Sequence, residues 1–177
     1  MITVFSKLDS ARRQLETAIG LFFKNSDPVS TYTLTRASHE ILGQLCNNNG
    51  AQSVLDWGLQ IIKEEKRDEV RKHLDNPKNF FKHAGRDPNA TVEFNPDVTN
   101  FFIWDACRLY QLLTTEAPKE MYIFKFWFSM TYPEYLEKPE HQELIRSISE
   151  SFDTKNRSVF YYQALSAYDL LKSQGRI

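Results

Sequence analysis

Apolar residues along this chain recur at three- and four-residue steps, and no run alternates as a strand would. Leu8, Ala11, Leu15, Ala18, Ile19 and Phe22 share one face of a first helix. Ser6 stands where a cap is needed, and Lys24-Asn25-Ser26 ends the pattern. Asp27-Pro28 then opens a second helix, a capping carboxylate before a proline whose missing N–H costs nothing at the first helical position. Its stripe is expected at Leu34, Ala37, Ile41 and Leu45, and Asn47-Asn48-Asn49-Gly50 supplies residues that tolerate the left-handed conformation at a helix end. The short connection predicts an antiparallel helical hairpin.

A third helix is expected from Ser53 to about His73, packed through Val54, Leu55, Leu59 and Ile62 and then almost wholly charged, with Asp68 and Glu69 four residues before Lys72 and His73. From Leu74 to Phe94 the periodicity is lost. Asn76-Pro77, Gly85 and Asp87-Pro88-Asn89 read as a long structured connection that Phe80, Phe81 and Phe94 anchor to the bundle. Asn95-Pro96-Asp97 starts a fourth helix with Val98, Phe102, Ala106, Leu109 and Leu113 inward. Pro118 opens a fifth with Met121, Phe124 and Phe128 inward, a short helix falls around Gln142–Ser149, and a last one spans about Lys155 to Ser173. The apolar arc of that last helix (Phe160, Ala164, Ala167 and Leu171 beside Tyr161, Leu165 and Tyr168) predicts burial on more than one side. The fold class expected is all-α, an up-down helical bundle of about six helices forming a single domain over residues 1–177.

Composition narrows this picture without redirecting it. The chain has 177 residues, 25% of them charged and 14% aromatic, with a formal net charge of −1. That content of aromatic residues excludes a disordered chain, and near-neutrality excludes a wholesale polyanion binder. No apolar run approaches the roughly 18–20 residues a membrane span requires, and the first residues lack a secretory signal pattern, so a cytoplasmic protein without a membrane partner is expected. Cys46 and Cys107 lack metal or redox spacing and read as half-buried thiols. The aromatic group Tyr122, Phe124, Phe126, Trp127, Phe128 and Tyr132 is too wide for one buried face, so it is either covered twice or forms an interface between two copies.

Chemistry-bearing motifs are few. Neither GxGxxG nor GxxxxGK[ST] is present, no Ser sits in GxSxG, and no His follows a Glu by three positions, which leaves no basis for a resident metal or another cofactor. The segment that stands out is Asn76 to Asp87. From Arg71 to Arg86 five Lys/Arg face one acid, Asp75, a local charge of +4 in a near-neutral protein. Histidine exchanges protons near neutrality, so His83 is the candidate acid/base group. On a helix Asn79, four residues before it, would share its face as a polar orienter, with Lys78, Lys82 and Arg86 as the cations for a phosphate.

The run Lys78-Asn79-x-x-x-His83 between the third and fourth helices resembles the motif of the HEPN superfamily. The segments Ala11–Ala18 and Ala37–Leu42 are similar to that family's helical hairpin. The resemblance covers residues 8–115 as a HEPN-like core and leaves 116–177 as a C-terminal helical extension. It implies metal-independent RNA cleavage or RNA binding, with no DNA specificity, by a homodimer whose paired motifs line one cleft. His83, Asn79 and Lys78 are then catalytic, and Arg86 and Lys82 bind. Lys78 stands where the family has Arg, which offers phosphate a point charge in place of a bidentate fork. Two other readings stay open: a non-catalytic helical interaction module, and a single-metal bundle enzyme built on Glu16, His39, Asp105 and His83. On the apolar faces of their helices, Asp105 is expected to pair with an Arg or Tyr, and His39 to be a satisfied core histidine.

Overall fold

The computed structural model describes residues 2–55, 58, 63–83, 85, 88–136 and 138–176. Among these, seven α-helices and a 3-10 turn are present and no strand: α1 Lys7–Phe23, α2 Pro28–Asn47, α3 Glu64–Phe80, α4 Val98–Thr114, α5 Lys119–Thr131, the turn Pro133–Tyr135, α6 Pro139–Ser149 and α7 Arg157–Ser173. None of the described helices is long and apolar enough to cross a membrane. The chain is thus all-α, as its periodicity predicts.

Side-chain caps hold the starts of α1 and α2. Ser6 Oγ accepts from the Asp9 N–H at 3.0 Å while Asp9 accepts from the Ser6 N–H at 3.2 Å, a reciprocal capping box. Replacing Ser6 by alanine leaves that donor to water alone and is expected to cost about 1 kcal/mol in urea denaturation. An unchanged midpoint would show that α1 does not depend on its cap. At α2, Asp27 accepts from the Ser30 N–H at 2.6 Å with Pro28 in the first turn. Asn25, at φ 49°, and Gly50, at φ 77°, supply the left-handed turns that stop α1 and α2.

The hairpin α1–α2 packs along its length, and α4 lies against α2 and also touches α1. α5 fits against α1 and α4, and α7 closes the bundle over α1 and α5. Leu15, Ile19, Leu42, Ile103, Leu109 and Phe124 are fully buried at the centre of this core. Around Phe124 stand Phe22 at 5.1 Å, Trp127 at 5.5 Å and Phe128 at 6.5 Å between ring centroids. The aromatic surplus of α5 is covered inside the chain: Phe126 meets Phe152 at 5.2 Å, Tyr122 meets Tyr168 at 5.3 Å and Tyr132 meets Phe101 at 5.3 Å.

Several expectations need correction. α2 is rotated relative to the predicted stripe: Leu34, Ala37, Ile41 and Leu45 are only half-buried, whereas Thr31, Thr35, His39, Leu42 and Cys46 face the core. The reason is that Arg36 and His39 find partners inside, and Thr31 and Thr35 return their hydroxyls to the carbonyls one turn back, so hydropathy alone points the helix the wrong way. A helical turn does begin after Ser53, at Val54 and Leu55, but the helix is not continuous to His73. Lys63 is extended (φ −51°, ψ 135°) and α3 restarts at Glu64, with Glu64 and Glu65 in its positive first turn; residues 56, 57 and 59–62, including Leu59 and Ile62, lie outside the described residues.

α3 also passes through Asn76-Pro77 to Phe80, where the sequence predicts irregular chain. Pro77 withholds only one N–H, near the helix end, so the break is local. The connection to α4 is correspondingly shorter, and its anchors hold: Phe81 lies 5.9 Å and Phe94 4.8 Å from the Tyr32 ring. α7 keeps its wide arc: Phe160 and Ala164 are buried, and Tyr161, Leu165 and Tyr168 on the neighbouring face are half-buried, while Tyr162 and Leu170 on the far side are exposed. Cys46 and Cys107 are fully buried free thiols rather than half-buried ones, and burial pushes both away from ionisation.

Candidate functional site

The basic segment is held against the bundle by one ridge of α2. Tyr32, Arg36 and Glu40, spaced four apart, meet successive positions of α3. The Tyr32 hydroxyl donates to the Leu74 carbonyl at 3.2 Å, Arg36 Nη2 to Asp75 Oδ1 at 2.6 Å, and Lys78 Nζ lies 3.6 Å from Glu40 and 3.4 Å from Asp75. Arg36 is nine-tenths buried, its guanidinium carbon 3.9 Å from the centre of the Phe102 ring. Among the described residues its Nε finds no acceptor.

This ladder divides the predicted site residues in two. Lys78 turns toward α2 and is 17% exposed, its charge offset by two carboxylates. Asn79, Lys82 and His83 face solvent on the turn that closes α3, which the His83 N–H extends by donating to the Asn79 carbonyl at 3.1 Å. Arg86 lies outside the described residues. The negative end of the helix dipole is presented here, so any attraction for phosphate comes from the side-chain cations.

Behind the ladder, His39 and Asp105 come together in the core with two residues that spacing alone does not reveal, Ser53 and Arg108. Asp105 Oδ2 accepts from Ser53 Oγ at 2.6 Å and from His39 Nε2 at 2.9 Å, while Oδ1 accepts from Arg108 Nε at 3.0 Å and the Val54 N–H at 3.3 Å. Arg108 Nη2 reaches on to the Gln52 carbonyl at 2.6 Å. Burial alone would raise the Asp105 pKa, but the hydrogen bonds from His39 and Ser53 and the nearby positive charges bring it down to about 2. Asp105 therefore has its expected Arg partner, and His39 is satisfied.

The arrangement pins residues 52–54 to α2 and α4. It is not a nucleophilic triad, because a Ser–His–Asp relay needs the imidazole to bridge the other two through its separate nitrogens. Here serine and aspartate meet the same nitrogen, and the serine hydroxyl donates to the carboxylate.

The four-residue metal site is not formed. Only His39 and Asp105 meet: Glu16 accepts from Arg12 at 2.8 Å and lines a different cavity, and His83 is out on the α3 end. Among the described residues no three His, Cys, Asp or Glu side chains are grouped to hold an ion. His39, Arg36 and Lys78 line a 200 Å³ cavity between α2 and α3, floored by Phe102. No family model, no curated protein and no solved structure matches this chain.

Proposed function

We propose that this chain is a divergent HEPN-like protein that binds RNA through the turn closing α3, with Asn79, Lys82 and His83 meeting the sugar–phosphate backbone. The observation that carries the reading is the joint exposure of those three side chains on one helix end. The ion pairs of Lys78 favour binding over turnover, since a cation already offset by Asp75 and Glu40 is a poor clamp for a reacting phosphate. If cleavage accompanies binding, His83 takes the proton of a 2′-hydroxyl, whose oxygen attacks the adjacent phosphorus; the P–O5′ bond breaks, the departing 5′-oxygen takes up a proton, and a 2′,3′-cyclic end is left without a metal. DNA lacks that hydroxyl and is spared. The resemblance also implies a two-fold pair presenting two such turns to one cleft, so light scattering should give twice the 20.8 kDa of one chain.

The test is fluorescence anisotropy of a labelled single-stranded RNA across a salt series. Wild type should bind with an affinity that falls as salt rises. Lys82→Gln should lower the slope by about 0.7, the contribution of one phosphate contact on a single strand. Incubating RNA with EDTA reports any cleavage, which His83→Ala should remove. RNA affinity equal in wild type and in a Lys82→Gln/His83→Ala double variant would leave the interaction module in place of this proposal.

A further inference from the structure

A cavity of 570 Å³ opens between α1, α5 and α7 and shares no residue with α3. That volume falls within the roughly 300–1,000 Å³ of small-molecule sites. Gly20 forms part of the α1 wall. It sits in the helix interior, outside the left-handed region, and a Cβ built on it would meet nothing within 4 Å, so neither conformation nor packing requires glycine there. Glycine is the least favourable helix residue short of proline, and its effect here is to keep that wall bare. Rings supply the apolar surface: Phe23 lies 5.2 Å from Tyr161, and Tyr161 5.9 Å from Tyr162, which is 69% exposed at the rim. Burial and, after it, the Glu120 carboxylate raise the Tyr161 pKa, so the phenol stays protonated as a donor near that carboxylate.

Charge sets the ligand. Four charged side chains reach the lining, and two are already engaged: Glu16 pairs with Arg12 at 2.8 Å, and Arg13 lies over the Phe5 ring, 5.0 Å from its centre. Lys24 and Glu120 remain, and among the described residues neither has an ion-pair partner within 4.0 Å. A cation and an anion that face one cavity without meeting are satisfied together by a molecule carrying both charges. A plain anion would leave Glu120 opposing it, and a plain cation would leave Lys24. An ammonium group fits at Glu120, where the negative face of the Tyr161 ring adds to the attraction, and a carboxylate fits at Lys24. The rings of Phe23, Tyr161 and Tyr162 favour an aromatic body. We propose that this cavity binds an aromatic zwitterion, a free aromatic amino acid or its dipeptide, with the ammonium on Glu120 and the carboxylate on Lys24.

The experiment is calorimetric titration of the full chain with L-phenylalanine and with phenylalanylglycine in low-salt buffer. One of them should saturate a single site, and the tighter of the two identifies the free amino acid or the peptide as the source. For that probe Glu120→Gln should weaken binding about tenfold, the loss of one charge-assisted contact. Lys24 is the more exposed partner, so Lys24→Gln should weaken it about threefold. Removing the ammonium from the probe gives the cross-check: 3-phenylpropionate should bind wild type more weakly and should gain affinity from Glu120→Gln, where the zwitterion loses it. L-alanine, which lacks the ring, should not saturate. Gly20→Leu should abolish binding while the urea midpoint stays at or above that of wild type, since leucine favours the helix and glycine does not. His83→Ala should leave binding unchanged, which separates this site from the RNA proposal. Saturable binding of neither probe, or an affinity indifferent to Glu120, Lys24 and Gly20 alike, overturns the proposal.

Discussion

Phe124→Ala is expected to destabilise the chain by about 3–5 kcal/mol, a large part of the roughly 5–15 kcal/mol that holds a domain together. Phe124 has no exposed surface and lies where α5 crosses α1, with Phe22 at 5.1 Å, Phe23 at 6.2 Å and Trp127 at 5.5 Å. Truncation removes the transfer free energy of the ring and leaves a void that its rigid aromatic neighbours cannot close. Phe124→Leu keeps most of that volume and should cost markedly less. In urea the midpoint of the alanine variant should fall with the slope unchanged, since the surface exposed on unfolding hardly differs. A loss below about 1 kcal/mol would mean that the site collapses freely and that the aromatic cluster is not the centre of the core.

That core was legible because α1, α4 and α5 obey hydropathy. Leu15, Ala18, Ile19 and Phe22 occupy the face their spacing predicts, and so do Phe102, Ala106 and Leu109. α2 disobeys for a physical reason. Its inward face carries Thr35, Arg36, Ser38 and His39, of which the sequence alone brings only His39 inside. Arg36 is stable there because Asp75 and the Phe102 ring receive it, and His39 because Asp105 does. Each of those partners is far along the chain, and no local pattern announces them. Helical reach through Asn76-Pro77 was hidden in a similar way: the local signal is a breaker, but the contacts of Tyr32, Arg36 and Glu40 hold the last turns of α3 in place.

The candidate site divides along the same line. The cationic character of Lys78 to His83 is written in the sequence, whereas the direction each side chain takes is not. A step of one residue turns a helix by about 100°, enough to send Lys78 into an ion-pair ladder while Asn79 faces water. The spacing Arg36–Glu40 on one helix and Asp75–Lys78 on the other places opposite charges in register. Those pairs are visible only once the helices are known to be neighbours. Asp105 was the exception, since a carboxylate on an apolar stripe demands a partner wherever that partner comes from.

Asp105 is also where charge and stability meet. Asp105→Ala strips the common acceptor from His39, Ser53, Arg108 and the Val54 N–H and leaves a half-buried guanidinium without its counter-charge. The expected loss is about 3–5 kcal/mol, as for other broken buried pairs. Asp105→Asn keeps the shape and one acceptor oxygen, so it should lose less. The two differ from wild type in their pH dependence as well. The folded-state pKa of about 2 lies below the ordinary 3.8, so the native state binds this proton less readily than the unfolded chain does. The resulting stability, about 2 kcal/mol, is fully present above roughly pH 5 and is lost as pH falls through 4 toward 2. Wild type should therefore weaken across that window more steeply than Asp105→Asn, with the two urea midpoints converging at the acid end. Parallel acid profiles would show that the carboxylate gains nothing from its partners.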